Sequence, residues 1–146
     1  MDALLTQNPA LQLLGFVYLV LVLKMVAVGS YTSMIRIRRG HYATPEDFKL
    51  QGLEPATEAD ADIERVRRAH RNDLENILPF FGAGVFYALT HPSMFMARTY
   101  FWGFCIARVL HSIFYIRQQQ PHRTIAFTVG LLLMLLMVLS TLWTLL

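Results

Sequence analysis

The chain is short of cysteine throughout and of charge at one end. Cys105 is the single cysteine among 146 residues, so no intrachain disulfide holds the fold. We read it as packing filler inside an apolar segment. The five histidines have no zinc-type spacing with it, so no structural metal site is expected. No Gly-x-Ser-x-Gly elbow appears, and there is no internal repeat or low-complexity tract. The "GAG" of Gly82 to Gly84 follows no strand, which excludes a dinucleotide loop and leaves a point of close helix approach. The chain opens "MDALLTQNPA", without a basic lead, and no small-x-small site clearly follows the first apolar run. A cleaved signal peptide is therefore not expected. From Ile125 to Leu146, "IAFTVGLLLMLLMVLSTLWTLL", there is no ionisable side chain at all.

What is present is apolar and clustered. Hydrophobic residues make up 55% of the chain, high for a soluble domain. The uncharged run at the end is long enough to cross a hydrocarbon core of about 30 Å as a helix. Leu11 to Ser30 is a second span, read as an anchor. Lys24 lies inside it; we read it as a snorkelling lysine, with a functional, inward-facing lysine as the alternative. Two weaker spans follow. Leu74 to Thr90 contains Pro79, and Ser93 to Ile116 carries Arg98, Arg108 and His111. Backbone in lipid must satisfy its own hydrogen bonds, so four transmembrane helices are the economical expectation.

The fold class expected is thus an all-α integral membrane protein, a four-helix transmembrane bundle in a single domain over residues 1–146. Its helices should run at about 9–38, 60–90, 93–117 and 121–146, with a connector at about 39–59. "THPS" and "RQQQPHR" break the later helices, and Pro121 suits a helix start. Eight Lys or Arg residues lie between Arg36 and Arg71, and Arg117 and Arg123 flank the last break. By the positive-inside rule these two links face the cytoplasm and both termini lie opposite.

The stretch "ERVRRAHRNDLENILPFF", Glu64 to Phe81, runs from mixed charge into apolar sequence without a loop. On a helix, Arg68, Arg71, Asn72 and Glu75 share a face, spaced 0, 3, 4, 7. Arg108, His111 and Tyr115 are spaced 0, 3, 7 on the next helix. Arg123 opens the last helix and Arg36 closes the first, so all four bring polar residues to one membrane depth. One reading is a structural ion-pair network, for example Arg71 with Glu75. The favoured reading is a pocket for a zwitterionic ligand with excess negative charge, its carboxylates held by arginine forks. The reason is a count: Arg36, Arg68, Arg71, Arg108 and Arg123 outnumber Glu75 and Asp73. "RVRRAHR" does not point to nucleic acid, because acids interleave it and the membrane follows at once.

That block resembles the signature of the membrane-associated proteins in eicosanoid and glutathione metabolism. "ATPEDF", "ARVLHSIFY" and "PHRTIAFTVG" match further family blocks in the same order. The resemblance implies a homotrimer with glutathione bound between subunits on the cytosolic side. It implies that Arg36, Arg68, Arg71, Asn72, Glu75, His111 and Tyr115 contact glutathione, with Phe127 in the same binding set. Arg123 and Thr124 match positions beside the sulfur, and Asp47 in "TPED" matches an aspartate implicated in prostaglandin synthase catalysis. The implied function is a glutathione-dependent membrane transferase and peroxidase, acting on lipophilic electrophiles or lipid hydroperoxides. A prostaglandin endoperoxide isomerase is the alternative, since Arg71 and the Thr124 hydroxyl resemble the family's synthases whereas Phe127 resembles its transferases. A non-catalytic, lipid-binding scaffold is the third reading, opposed by the arginine set. Phe48 stands where the transferases carry a stress-sensing cysteine, so no activation by thiol alkylation is expected there. The expected location is the endoplasmic reticulum in a eukaryote or the inner membrane in a bacterium. The partners expected are glutathione, a lipophilic second substrate and membrane lipids.

Overall fold

A computed structural model describes residues 7–146. It contains the helices α1 (Pro9–Arg39), α2 (Pro45–Leu50), α3 (Ala61–Leu89), α4 (Met94–Ile116) and α5 (His122–Leu145), and no strand among the described residues.

Several boundaries have a local chemical cause. Asn8 Oδ1 accepts from the Leu11 N–H at 3.0 Å, and Pro9 fills the position whose own N–H would go unused. The same Asn8 donates from Nδ2 to the Ala88 carbonyl at 2.9 Å, tying the start of α1 to the end of α3. Gly40 ends α1 in the left-handed region, at φ 64°. The His41 N–H then reaches the Arg36 carbonyl at 3.1 Å and the Gly40 N–H the Ile37 carbonyl at 3.4 Å, the paired bonds of a Schellman stop. Asp60 caps α3, its Oδ1 accepting from the N–H groups of Asp62 at 2.9 Å and Ile63 at 3.0 Å.

The connector is not plain loop. Thr44 caps α2 by accepting from the Asp47 N–H at 3.4 Å, Pro45 follows, and Glu46 and Asp47 sit at the positive end of the helix dipole. Phe48 is thereby buried, edge-on to Tyr42 with ring centroids 5.4 Å apart. Thr-Pro-Glu-Asp is a helix-start signal that the sequence reading passed over.

Helix α1 packs on α3 and α4, α5 packs on the same two, and α1 and α5 do not meet. The core lies between them: Leu14, Val17 and Leu21, then Ile77 and Phe80, Phe101 and Phe104, and Met137. Phe80 and Phe104 stack with centroids 3.8 Å apart. A Cβ at Gly84 would lie 2.8 Å from Leu14 Cδ1, so this glycine lets α1 and α3 close up. Gly82 has open space around it, so only one of the two glycines in "GAG" makes the close approach expected there.

α1 and α5 are the two helices long and apolar enough to cross a membrane, and only 22% of each apolar stretch is buried. The core helix of a soluble protein would be mostly buried. Instead Phe16, Leu23, Val26, Leu139 and Trp143 face outward, which is how an apolar-all-round helix meets lipid. α3 and α4 carry more charge, and length and composition alone do not mark them as spans.

Candidate functional site

One end of the molecule gathers the last turns of α1 and α4 with the first turns of α3 and α5. Arg39 forks onto Asp60 Oδ2 at 2.6 Å and Asp62 Oδ2 at 2.8 Å, joining α1 to α3. Arg39, followed by the capped N–H groups, holds the Asp60 carboxyl down to about 2. Arg65 bonds Asp62 at 2.5 Å and donates from Nη1 to the Gln118 side-chain carbonyl, turned toward it, at 2.8 Å. That joins α3 to the end of α4.

Below this rim lies a buried ionic cluster. Asp73 is fully enclosed. Arg108 Nη2 donates to Asp73 Oδ1 at 2.8 Å and to Asn72 Oδ1 at 2.7 Å. Ser112 Oγ donates to the same carboxylate at 3.3 Å, and Lys24 pairs with both Asp73 and Ser112. Two sequence readings are corrected here. Lys24 does not snorkel: a carboxylate one helix away gives its ammonium a partner inside. Arg108 does not belong to the free cations awaiting an external anion, because it is already paired with Asp73 and burial seals it, at 1% exposure.

A second group forms where α4 meets α5. His111 Nδ1 lies 3.1 Å from the Arg123 carbonyl. A carbonyl only accepts, so Nδ1 carries the proton and Nε2 keeps its lone pair. That Nε2 is buried and unpartnered. The ring sits against Tyr115 and Phe127, at centroid distances of 5.6 and 5.8 Å. The Arg123 guanidinium lies 4.6 Å above the Tyr115 ring, a cation–π seat that fixes its direction. Gln120, with its carbonyl toward Arg123, accepts from Nε at 3.0 Å, while its amide nitrogen donates to Thr124 Oγ1 at 3.0 Å. The Thr124 hydroxyl hydrogen then remains free to donate elsewhere.

The third group lines a groove between α1 and α3. Arg36, Arg67, His70 and Arg71 border a cavity of about 350 Å³. Arg67 pairs with Glu64. Arg68 and Glu75 are exposed on the neighbouring face of α3, and the Arg71–Glu75 pair considered from sequence is not formed. Among the described residues, Arg36, Arg68, Arg71 and Arg123 make no salt bridge. Asp47 stands apart, exposed in the first turn of α2, with no side-chain bond to any of the others.

The structure therefore joins Asn72 to Arg108, and His111, Tyr115, Phe127 and Arg123 to one another. It places Arg36 with Arg71, and leaves Arg68, Glu75, Thr124 and Asp47 open. Sequence reasoning missed the roles of Lys24, Asp73, Ser112 and Gln120. Lys24 and Asp73 carried a usable signal, since ionisable groups in apolar spans need partners. Ser112 and Gln120 carried none.

The described residues are helical, two of the helices are long and apolar enough to cross a membrane, and several arginines at one end have no acidic partner among them. The comparisons narrow this. The model of the MAPEG family matches residues 13–143. Human prostaglandin E synthase is 35% identical over 142 residues, covering 97% of this chain and 93% of that protein. Mouse microsomal glutathione S-transferase 1 is 40% identical over 116 residues, covering 76% and 75%. The horse prostaglandin E synthase is 38% identical over 124 residues, covering 84% of this chain. The chain belongs to the MAPEG family, a membrane family with enzymes of both kinds among its members.

Proposed function

We propose that this protein is a glutathione-dependent membrane transferase and peroxidase, acting on lipophilic electrophiles or lipid hydroperoxides. The observation that carries the reading is the set Arg36, Arg68, Arg71 and Arg123, four cations at one end with no acidic partner among the described residues. Glutathione has two carboxylates, an ammonium and a thiol, and the donor set fits it. Arginines take the carboxylates by charge-assisted bonds. Glu75, exposed and without an ion-pair partner, takes the ammonium. Asn72, His111, Tyr115 and Phe127 complete the walls. Relatives named for glutathione transfer support this ligand.

Bound there, glutathione supplies a thiol whose ionised form is the nucleophile. An ordinary thiol ionises near 8.5, and lowering that by two units needs about 2.7 kcal/mol of preference for the charged form. Arg123 and Thr124 provide it. The guanidinium is held over Tyr115 and paired only with a neutral amide, so its charge is undiminished. Thr124 receives its hydrogen bond from Gln120 and keeps its own hydrogen to donate. An almost wholly apolar cavity of about 350 Å³ between α4 and α5, from Gly103 and Ala107 to His122 and Val129, suits a second substrate arriving from lipid. All four long helices cross the membrane in this reading, the basic end is cytosolic, and a homotrimer completes the site across the open face of α3.

The test is glutathione conjugation to chlorodinitrobenzene by purified protein in detergent, with Arg123→Ala alongside. Turnover that disappears in the variant supports the reading. Equal turnover in both moves the sulfur site elsewhere. A wild type that binds glutathione and conjugates nothing points to the second reading, prostaglandin endoperoxide isomerisation. The Thr124 hydroxyl beside Arg123 and Arg71 on the open face favour that alternative. It predicts that Asp47→Ala abolishes isomerisation and leaves glutathione affinity nearly intact.

A further inference from the structure

Asp73 is the one buried carboxylate among the described residues, and nothing in the chemistry above uses it. Its position is nonetheless specific. One nitrogen of Arg108, Nη2, donates at once to Asp73 Oδ1 and to Asn72 Oδ1, at 2.8 and 2.7 Å. An amide whose oxygen is committed inward can offer only its N–H donors outward. The Asn72 amide nitrogen has no partner among the described residues and is not among the buried unpartnered atoms. Helical spacing puts Asn72 on the same face as Arg68 and Glu75, both of which are open.

We propose that Asp73 is a positioning residue: acting through Arg108, it holds the Asn72 amide oxygen inward and its NH2 outward, as a fixed donor to a carboxylate or carbonyl oxygen of glutathione. This rests on the glutathione reading. The cause is charge balance. Lys24 and Arg108 face the same single carboxylate from two helices. Remove that carboxylate and the two cations repel each other with no counter-ion between them. The guanidinium turns away, the amide is free to rotate, and its carbonyl then meets an anionic ligand as a second acceptor. Ser112, bonded to both Asp73 oxygens at 3.4 and 3.3 Å, keeps the carboxylate from following either cation.

The test is a double-mutant cycle on glutathione affinity, measured by calorimetry on purified protein in detergent. It is run with Lys24 in place, so that Asp73→Asn leaves the Lys24 ammonium and the Arg108 guanidinium facing each other with no carboxylate between them. Asp73→Asn should raise the glutathione Kd roughly tenfold, the loss of one hydrogen bond to a charged group, with kcat at saturating glutathione nearly kept. Asn72→Ala should cost about the same. Together they should cost no more than Asn72→Ala alone, because one acts through the other. Additive penalties, or none for either substitution, overturn the proposal. Should Asp73→Asn fail to fold, Asn72→Asp decides. It keeps an oxygen for Arg108 but has no N–H to offer, so an unchanged Kd sinks the idea. A wild type that binds no glutathione removes the functional reading first and this inference with it.

Discussion

Arg108 and Arg123 lie on adjoining helices, and His111 touches the surroundings of both. Arg108 is closed off: it is buried, paired with Asp73 and bonded to Asn72. Arg123 is half-open, seated on an aromatic ring and bonded only to a neutral amide. The same guanidinium thus does two jobs. Where a carboxylate from another helix reaches it, the charge serves the fold. Where none does, the charge stays uncompensated. What separates the two arginines is the location of the nearest acid together with their depth, not their residue type.

The largest effect expected is on the closed set. Arg108→Ala leaves Asp73 paired with Lys24 but empties the place of a buried guanidinium and takes its donor from the Asn72 and Asp73 oxygens, a cavity and unsatisfied acceptors together costing about 2–5 kcal/mol. Thermal unfolding in detergent should show a large fall in Tm. Arg123→Ala should show the opposite profile, with Tm nearly unchanged and conjugation down on the order of a hundredfold, the equivalent of about 2.7 kcal/mol. If Arg123→Ala unfolds the protein, or Arg108→Ala leaves its stability intact, the division between the two arginines collapses. Gly84→Ala provides a control in apolar packing. Its Cβ would meet the buried Leu14 Cδ1 at 2.8 Å; overpacking costs roughly 1–3 kcal/mol, of which the better helix propensity of alanine returns about 1 kcal/mol, so the fall in Tm should be small, with no effect on the glutathione Kd.

A smaller effect belongs to the exposed Arg39–Asp60 pair at the rim. The folded-state value for Asp60 is about 2, below its usual value. Its contribution is therefore complete above the ordinary carboxylate range and is lost as pH falls from about 4 toward 2. The protection of the Asp62 and Ile63 amides against hydrogen exchange, relative to their intrinsic rates at each pH, should fall over that window. In Asp60→Asn, where the cap has no charge to lose, that fall should be absent. The smallest effect is none. With Phe48 in the connector and Cys105 buried, a thiol reagent should not stimulate activity, and stimulation that persists in Cys105→Ala would contradict this.

Much of the helical framework can be read directly from local chemistry. The uncharged run ending at Leu146, Asn8 before Pro9 and Asp60 before a helix-forming stretch are signals carried by a few adjacent residues. So is the excess of arginine over acid at the basic end, which is a matter of counting. The site divided less cleanly. Arg36, Arg68, Arg71 and Arg123 remain open as the count suggested, while Arg108 does not, and Thr-Pro-Glu-Asp went unread as a helix start.

Composition and spacing determined that the chain is helical and apolar on the outside, and that its basic residues gather at one end, because each of these depends on neighbours within a turn or two. Which cation is neutralised was decided only in three dimensions. Asp73 is 49 residues from Lys24 and 35 from Arg108, and no spacing rule links them. They meet because α1, α3 and α4 pack side by side, and inside that packing an unpaired charge would cost too much to keep.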